Sequence, residues 1–226
     1  MKFFAVFSPI IACAAAFAAN NHSEQLDAPN GGDAFVFVQP LKVAYPQNIA
    51  ESDKPAFLEK ARARITSPLL REVVITTEAV KCEGASKKFS APYTNKSARE
   101  IIAENFSIEP TSDPEIVNVK FAHKEKSSAQ FFCLDLARNV AYSSRNISEE
   151  ILKKHLELSQ TCLKLVVERK KLFEKYSAAK KIGDLAEAAK IRAQLDKKIP
   201  PEIADDTKSV LGEIKKSTPF WQLLEQ

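Results

Sequence analysis

Ser97-Ala98-Arg99-Glu100-Ile101-Ile102-Ala103-Glu104-Asn105-Phe106-Ser107-Ile108-Glu109-Pro110-Thr111-Ser112-Asp113-Pro114-Glu115-Ile116-Val117-Asn118-Val119-Lys120-Phe121-Ala122-His123 is the stretch on which the fold turns. Ser97 and Glu100 have the spacing of a capping box, in which the serine oxygen takes the N–H of the glutamate and the carboxylate reaches back to the serine N–H. The apolar pair Ile101-Ile102 follows at once, so a helix starts here, and it should end near Asn105. Phe106-Ser107-Ile108 then alternates, and Thr111-Ser112-Asp113-Pro114 is turn chemistry. Beyond the turn, Val117, Val119, Phe121 and His123 fall on one side of an extended chain. Ile116, Asn118, Lys120 and Ala122 fall on the other, which is the two-residue period of a strand with one buried face. The stretch predicts helix, strand, turn and strand, with the two strands joined as a hairpin.

The pattern extends in both directions. Ala34-Phe35-Val36-Phe37-Val38 is a β-rich run before Pro40. Ser52 is placed to cap a helix through Phe57, Leu58, Ala61 and Ile65, and Ser67-Pro68 reads as the cap and first residue of another, with Leu69, Leu70, Val73 and Val74 on one face. Lys81 to Thr94, with Gly84 and Pro92, reads as a loop. Ser127 is placed to cap a helix through Ala129, Phe132, Cys133, Leu136 and Val140. From Ser148 onward Ile151, Leu158, Leu165, Leu172 and Ala179 recur every seven residues, and Leu152, Leu163, Val166, Phe173 and Tyr176 widen the stripe. That stripe fits either a coiled-coil seam or a long helix packed on its own domain. Ile182-Gly183-Asp184 breaks it, and Asp184 can cap a returning helix through Leu185, Ala188, Ala189, Ile191 and Leu195, closed by Pro200-Pro201. Glu202 to Lys216 is a weaker helix, and Phe220-Trp221 with Leu223-Leu224 an apolar tail. The fold class expected is α+β: a small mixed sheet packed with helices, followed by a long helix or helical hairpin arm.

Function is narrowed first by what the residues cannot build. The 226-residue chain has five glycines, and neither GxGxxG nor GxxxxGK[ST] can be written from them, which removes the two commonest phosphate-cradling loops. Its three histidines, His22, His123 and His155, sit in no HExxH or CxxC setting, so no zinc chemistry is indicated. No catalytic, cofactor-binding or metal site is assigned; His123, Glu125 and Asp135 can be imagined as a cluster, but their spacing is not diagnostic. The balance of 33 basic to 29 acidic residues, net +4, is too even and too interspersed for a dedicated nucleic-acid binder. Cys82, Cys133 and Cys162 match no disulfide framework, and one bridge with one free thiol remains open beside buried free thiols. Four N-x-S triplets begin at Asn21, Asn95, Asn105 and Asn146. They matter only in a eukaryotic secretory host.

The N-terminus reads as an address or an anchor. After Lys2, the 17 residues from Phe3 to Ala19 carry no charge, and Ala16-Phe17-Ala18 has the small-x-small pattern of a cleavage site. Ile10-Ile11-Ala12-Cys13 is similar to a lipobox, and an uncleaved anchor is the third option. All three put the rest of the chain outside the cytoplasm. The expected organisation is a signal peptide or anchor over 1–19, a linker over 20–33, an α+β domain over 34–145, and a helical hairpin arm with a C-terminal tail over 146–226.

In order and spacing, four stretches resemble the extracytoplasmic domain of the polysaccharide chain-length determinant (polysaccharide co-polymerase) family. Asp33 to Pro40 is similar to that family's first strand, and Ala63 to Val74 to its "I-x-S-x-x-L-L-x-x-V" helix. Ile101 to Pro110 with Glu115 to Phe121 resembles its "L-x-V-x-P … I-I-x-I-x-F" segment. Ala129 to Tyr142 resembles "A-x-x-I-A-N-x-L-A-x-x-Y", with Ala137, Asn139, Ala141 and Tyr142 in fitting places. The family's second membrane helix has no counterpart here. The resemblance implies a non-enzymatic scaffold of polysaccharide chain-length determination or export, without cofactors, exported to the periplasm or anchored facing it. Its expected partners are further copies or a membrane polysaccharide-assembly protein, with membrane contact through the N-terminal segment if that is retained, and no nucleic acid. The alternative is a secreted helical protein-binding module unrelated to polysaccharide.

Overall fold

The computed structural model describes residues 34–84, 96–197 and 200–224. The expectations for residues 1–33, and the part of the 81–94 loop beyond Gly84, lie outside the described residues. In chain order the elements are β1 (Phe35–Val43), a 3-10 turn (Glu51–Asp53), α1 (Lys54–Ile65), α2 (Pro68–Gly84), α3 (Ala98–Asn105), β2 (Phe106–Pro110), β3 (Ile116–His123), α4 (Lys126–Ser143), α5 (Glu149–Ile182), α6 (Leu185–Leu195), α7 (Pro201–Lys216) and β4 (Trp221–Leu223). The fold is α+β, a small sheet packed with helices.

The deciding stretch folds as its chemistry dictates. Ser97 and Glu100 form the reciprocal capping box of α3. The chain passes from Asn105 directly into β2, and Thr111–Pro114 turns it into β3. Thr111 Oγ1 accepts the Asp113 N–H at 3.2 Å, and Asp113 Oδ1 accepts the Glu115 N–H at 2.8 Å, so the turn is held by its own side chains. Along β3, Val117, Val119, Phe121 and His123 are buried and the alternate residues are half-buried.

The sheet order is β2-β3-β1-β4. Every pairing is antiparallel, where a mixed sheet was expected. β1 is longer than its apolar run, passing through Pro40 to Val43. Pro40 has no N–H to give a ladder, but its carbonyl accepts the Leu224 N–H at 3.1 Å. The expected apolar tail is an edge strand: Trp221 pairs with Val43 and Leu223 with Leu41. Trp221 is buried and its Nε1 donates to the Ala61 carbonyl at 3.0 Å. An indole needs such a partner when buried, and here it ties the last strand to α1.

One face of the sheet carries the core. Phe37, Leu41, Val117, Val119 and Phe121 pack against α4 and share one cluster with Phe132, Cys133, Leu136 and Val140 of that helix and with Leu70, Val73 and Val74 of α2. Leu152 of α5 and Phe220-Trp221 belong to the same cluster, so the segment after residue 145 contributes to the core of residues 34–145. Arg145 Nη1 donates to the carbonyls of Lys215 at 3.1 Å and Ser217 at 2.8 Å, satisfying orphan acceptors at the α7 C-terminus with a cation where the helix dipole favours one.

Three boundaries differ from expectation. Ser52 lies in the 3-10 turn, and α1 begins at Lys54 after Asp53. Lys81–Gly84, read as loop, is the last turn of α2, continued because its apolar face still packs on α5. Ser127 lies inside α4, whose N-cap is Glu125. Ser128 Oγ donates to Glu125 Oε2 at 2.9 Å instead.

Candidate functional site

His123, Glu125 and Asp135 are individually placed as structural residues. His123 is fully buried at the end of β3, its Nδ1 accepting the Glu125 backbone N–H at 3.0 Å. Burial lowers its pKa, opposed by the Glu125 charge. Asp135, on α4, has Arg138 Nη1 3.7 Å away. Cys82, Cys133 and Cys162 are buried and take part in no disulfide. Cys133 Sγ donates to the carbonyls of Phe37 at 3.3 Å and Val119 at 3.4 Å, and burial pushes its pKa up to about 12. A thiol so protonated and enclosed is no nucleophile. Among the described residues no group of three or more His, Cys, Asp and Glu could hold a metal.

Two features that the sequence reading missed are polar and lie on α2. Every residue from Val73 to Val80 is buried, because α2 is packed between α4 and α5. On the α4 side Glu78 is fully buried. Asn139 Nδ2 donates to Glu78 Oε2 at 2.7 Å, and Lys81 Nζ lies 3.0 Å from the same oxygen. On the α5 side Thr77 Oγ1 and Ser159 Oγ are 3.3 Å apart. Beside them α7 closes a small cavity where Thr77, His155, Ser159 and Thr207 meet the apolar side chains of Val80, Leu158, Cys162, Val210 and Leu211. It leaves about 10 Å³ for a water centre, the room of about one water molecule. His155 is buried there, and its Nδ1 has no protein partner. With no acid in the lining, burial alone lowers its pKa to about 4. The warning in the sequence was the run Thr76-Thr77-Glu78 inside otherwise apolar Val73–Val80.

The third feature is the arm. α5 has 34 residues, about 50 Å of helix at 1.5 Å per residue. Its first half lies along α2, through Thr77–Ser159, the Val80–Cys162 contact and an ion pair of 2.6 Å between Lys170 and Glu83. The buried line on this half is Leu152, His155, Ser159 and Cys162. The heptad residues Ile151, Leu158 and Leu165 flank it, each half-buried. Of the two readings of the stripe, a helix packed on its own domain is the one that holds for this half.

Past Lys170 the helix continues with α6 folded back on it. Ala179, Ala188, Ile191 and Leu195 form a separate apolar cluster flanked by Leu172 and Tyr176. Gly183 makes the turn at φ 81°, the left-handed conformation where a Cβ is strained, and Asp184 caps α6 by accepting the Glu187 N–H at 2.9 Å. Arg169 donates from Nη2 to the Leu195 carbonyl and so ties the far end of α6 to α5. The arm exposes Phe173 by 61%, Ile182 by 79% and Leu185 by 74%. Phe131 is the other exposed large apolar side chain among the described residues.

No family model matches this sequence, and no curated protein is similar to it.

Proposed function

We propose that the chain is a non-enzymatic extracytoplasmic scaffold related to polysaccharide chain-length determination or export, and that the arm is its working part. The observation that carries the reading is the arm itself: a two-helix hairpin with its own small core, continuous with a helix clamped in the body, presenting large apolar side chains to solvent. A body of four strands and packed helices holds the base of such an arm rigid, because α5 is buried against α2 along its first half. The element order also supports the reading, since it is the order that the four resembling stretches imply.

Two measurements test it in the native host. Cells lacking the protein should show an altered length distribution of surface polysaccharide on gels; an unchanged distribution would overturn the polysaccharide assignment. Ala189, exposed on α6, becomes a reporter as Ala189→Cys. It should react with a membrane-impermeant maleimide in intact cells, and labelling only after lysis would overturn the extracytoplasmic placement.

A second reading, a secreted helical module that binds another protein, draws on one observation. Ala178, Ala186, Ala189 and Ala193 are exposed on the arm, and small side chains admit a third helix at close range. Unchanged polysaccharide together with surface labelling of Ala189→Cys would favour it.

A further inference from the structure

The arm differs from the body in charge as well as in shape. Residues 169–197 hold nine basic and four acidic side chains, a formal +5, against +4 for the whole chain. The excess is ordered. Lys164, Lys171 and Lys175 recur with Ala178 and Ile182 at spacings of seven, four, three and four, which puts them on one face of α5. All five are exposed. Lys180 and Lys181 add two more exposed cations in the last turn before Gly183. Of the nearby acids Asp184 caps α6 and Glu187 has Lys190 at 3.9 Å, while Glu168 and Glu174 are exposed at the flanks of the same face, where the lysines outnumber them. The face thus ends in Ile182, with Leu185 across the turn, the two most exposed large apolar side chains among the described residues.

We propose that the tip of the arm docks on an anionic lipid surface, with Ile182 and Leu185 entering the headgroup layer and the α5 lysines facing the lipid phosphates. Aliphatic side chains at a tip, backed by lysines whose stems can reach past them, suit a boundary that is apolar below and anionic above. A soluble polyanion would satisfy the lysines and leave Ile182 and Leu185 in water. A second copy of the arm would bring +5 against +5. The proposed contact is made by two side chains at a helix turn, so the tip lies on the surface; no described helix is long and apolar enough to cross a membrane. The proposal stands on the arm alone and does not rest on the polysaccharide reading.

The test uses the full chain with a readout local to the tip. Ile182→Cys in a Cys13→Ser background carries a polarity-sensitive fluorophore, since Cys82, Cys133 and Cys162 are buried. Ser127→Cys, exposed at the start of α4, carries the same label as a control on the body. With phosphatidylcholine vesicles containing phosphatidylserine, the label at 182 should brighten and shift to the blue, and the label at 127 should not. Added salt should weaken the response. Replacing Lys171, Lys175 and Lys181 by Gln should raise the vesicle concentration for half response on the order of a hundredfold, from the usual contribution of a lysine near an anionic surface. No change at 182, an equal change at 127, or the same change with soluble polyglutamate would overturn the proposal. The last outcome would make the tip a site for acidic polymers.

Discussion

Asn139 of α4 donates through Nδ2 to the Glu78 carboxylate of α2 at 2.7 Å, in a site where Glu78 has no exposed surface. Together with Lys81 Nζ at 3.0 Å, this contact makes a buried carboxylate tolerable between two helices. Removing one partner of a buried charge costs more than the contact gains, because the remaining charge keeps its desolvation penalty. Lys81→Met is therefore expected to destabilise the fold by about 3–5 kcal/mol, and Asn139→Ala by about 1–3 kcal/mol. The double variant Glu78→Gln with Lys81→Met should recover much of the loss of Lys81→Met alone. Urea midpoints at neutral pH measure all three. Single variants within about 0.5 kcal/mol of the parent, the usual range for surface changes, would mean that the site is solvated.

His155 sets a pH dependence. The unfolded chain takes up its proton near the ordinary histidine value of 6.5, the folded chain only near 4, because burial penalises the charged ring and no acid lines its cavity. Between these values the unfolded state binds more protons, so lowering the pH favours unfolding. The contribution is complete above pH 6.5 and falls by up to about 3 kcal/mol as the pH drops to 4, at about 1.4 kcal/mol per pH unit. His123, also lowered by burial, acts in the same direction. The diagnostic comparison is thus between the parent and His155→Leu, whose stability should fall less steeply between pH 6.5 and 4. Equal slopes would place His155 in contact with solvent.

How far the chain was legible follows from which interactions are local. The capping box at Ser97 and Glu100, the turn at Thr111–Pro114 and the break at Gly183-Asp184 are each set by residues within four positions of one another, and each was readable. β4 was not: Trp221 pairs with Val43 across the length of the chain, and three residues carry too little pattern to announce a strand. The heptad on α5 misled about the buried line. The helix touches α2, α6 and α7, and the seam facing α2 is filled by His155, Ser159 and Cys162, whose burial depends on partners such as Thr77 and not on their own hydrophobicity. Glu78 was invisible for the same reason, since its burial depends on partners such as Asn139 of another helix. The arm was legible as a hairpin, but the exposure of Ile182 and Leu185 depends on where the body ends.

Gly183 offers a narrow test of the turn. At φ 81° a non-glycine residue is strained, although nothing lies within 4 Å of where its Cβ would be. The cost of Gly183→Ala is therefore conformational alone, about 1 kcal/mol. It should appear as faster amide exchange at Lys180–Leu185, where the turn would open, with the melting of the body unchanged. Slower exchange there would mean that the left-handed turn is not the resting state.

The division between body and arm yields the last prediction. Leu152 is fully buried in the core cluster that includes the sheet, whereas Ile191 is buried in the four-residue cluster of the hairpin. Both truncations remove comparable volume, and a buried Leu or Ile changed to Ala costs about 2–5 kcal/mol. The consequence differs because the cooperative units differ. Leu152→Ala opens a cavity in the main core, where α5 joins α2, so it should lower the melting of the whole molecule. Ile191→Ala weakens a cluster formed by α6 with α5 residues beyond Lys170. It should release α6 and the end of α5 while the body keeps its midpoint, seen as a partial loss of helical circular dichroism and as exchange confined to residues 171–195. The half-buried Leu158 and Leu165 should fall below both, at about 1–2 kcal/mol each, because a side chain that is already partly solvated loses less transfer energy. If Ile191→Ala lowers the global midpoint as much as Leu152→Ala does, the arm is not a separate unit, and a tip that docks by itself loses its mechanical basis.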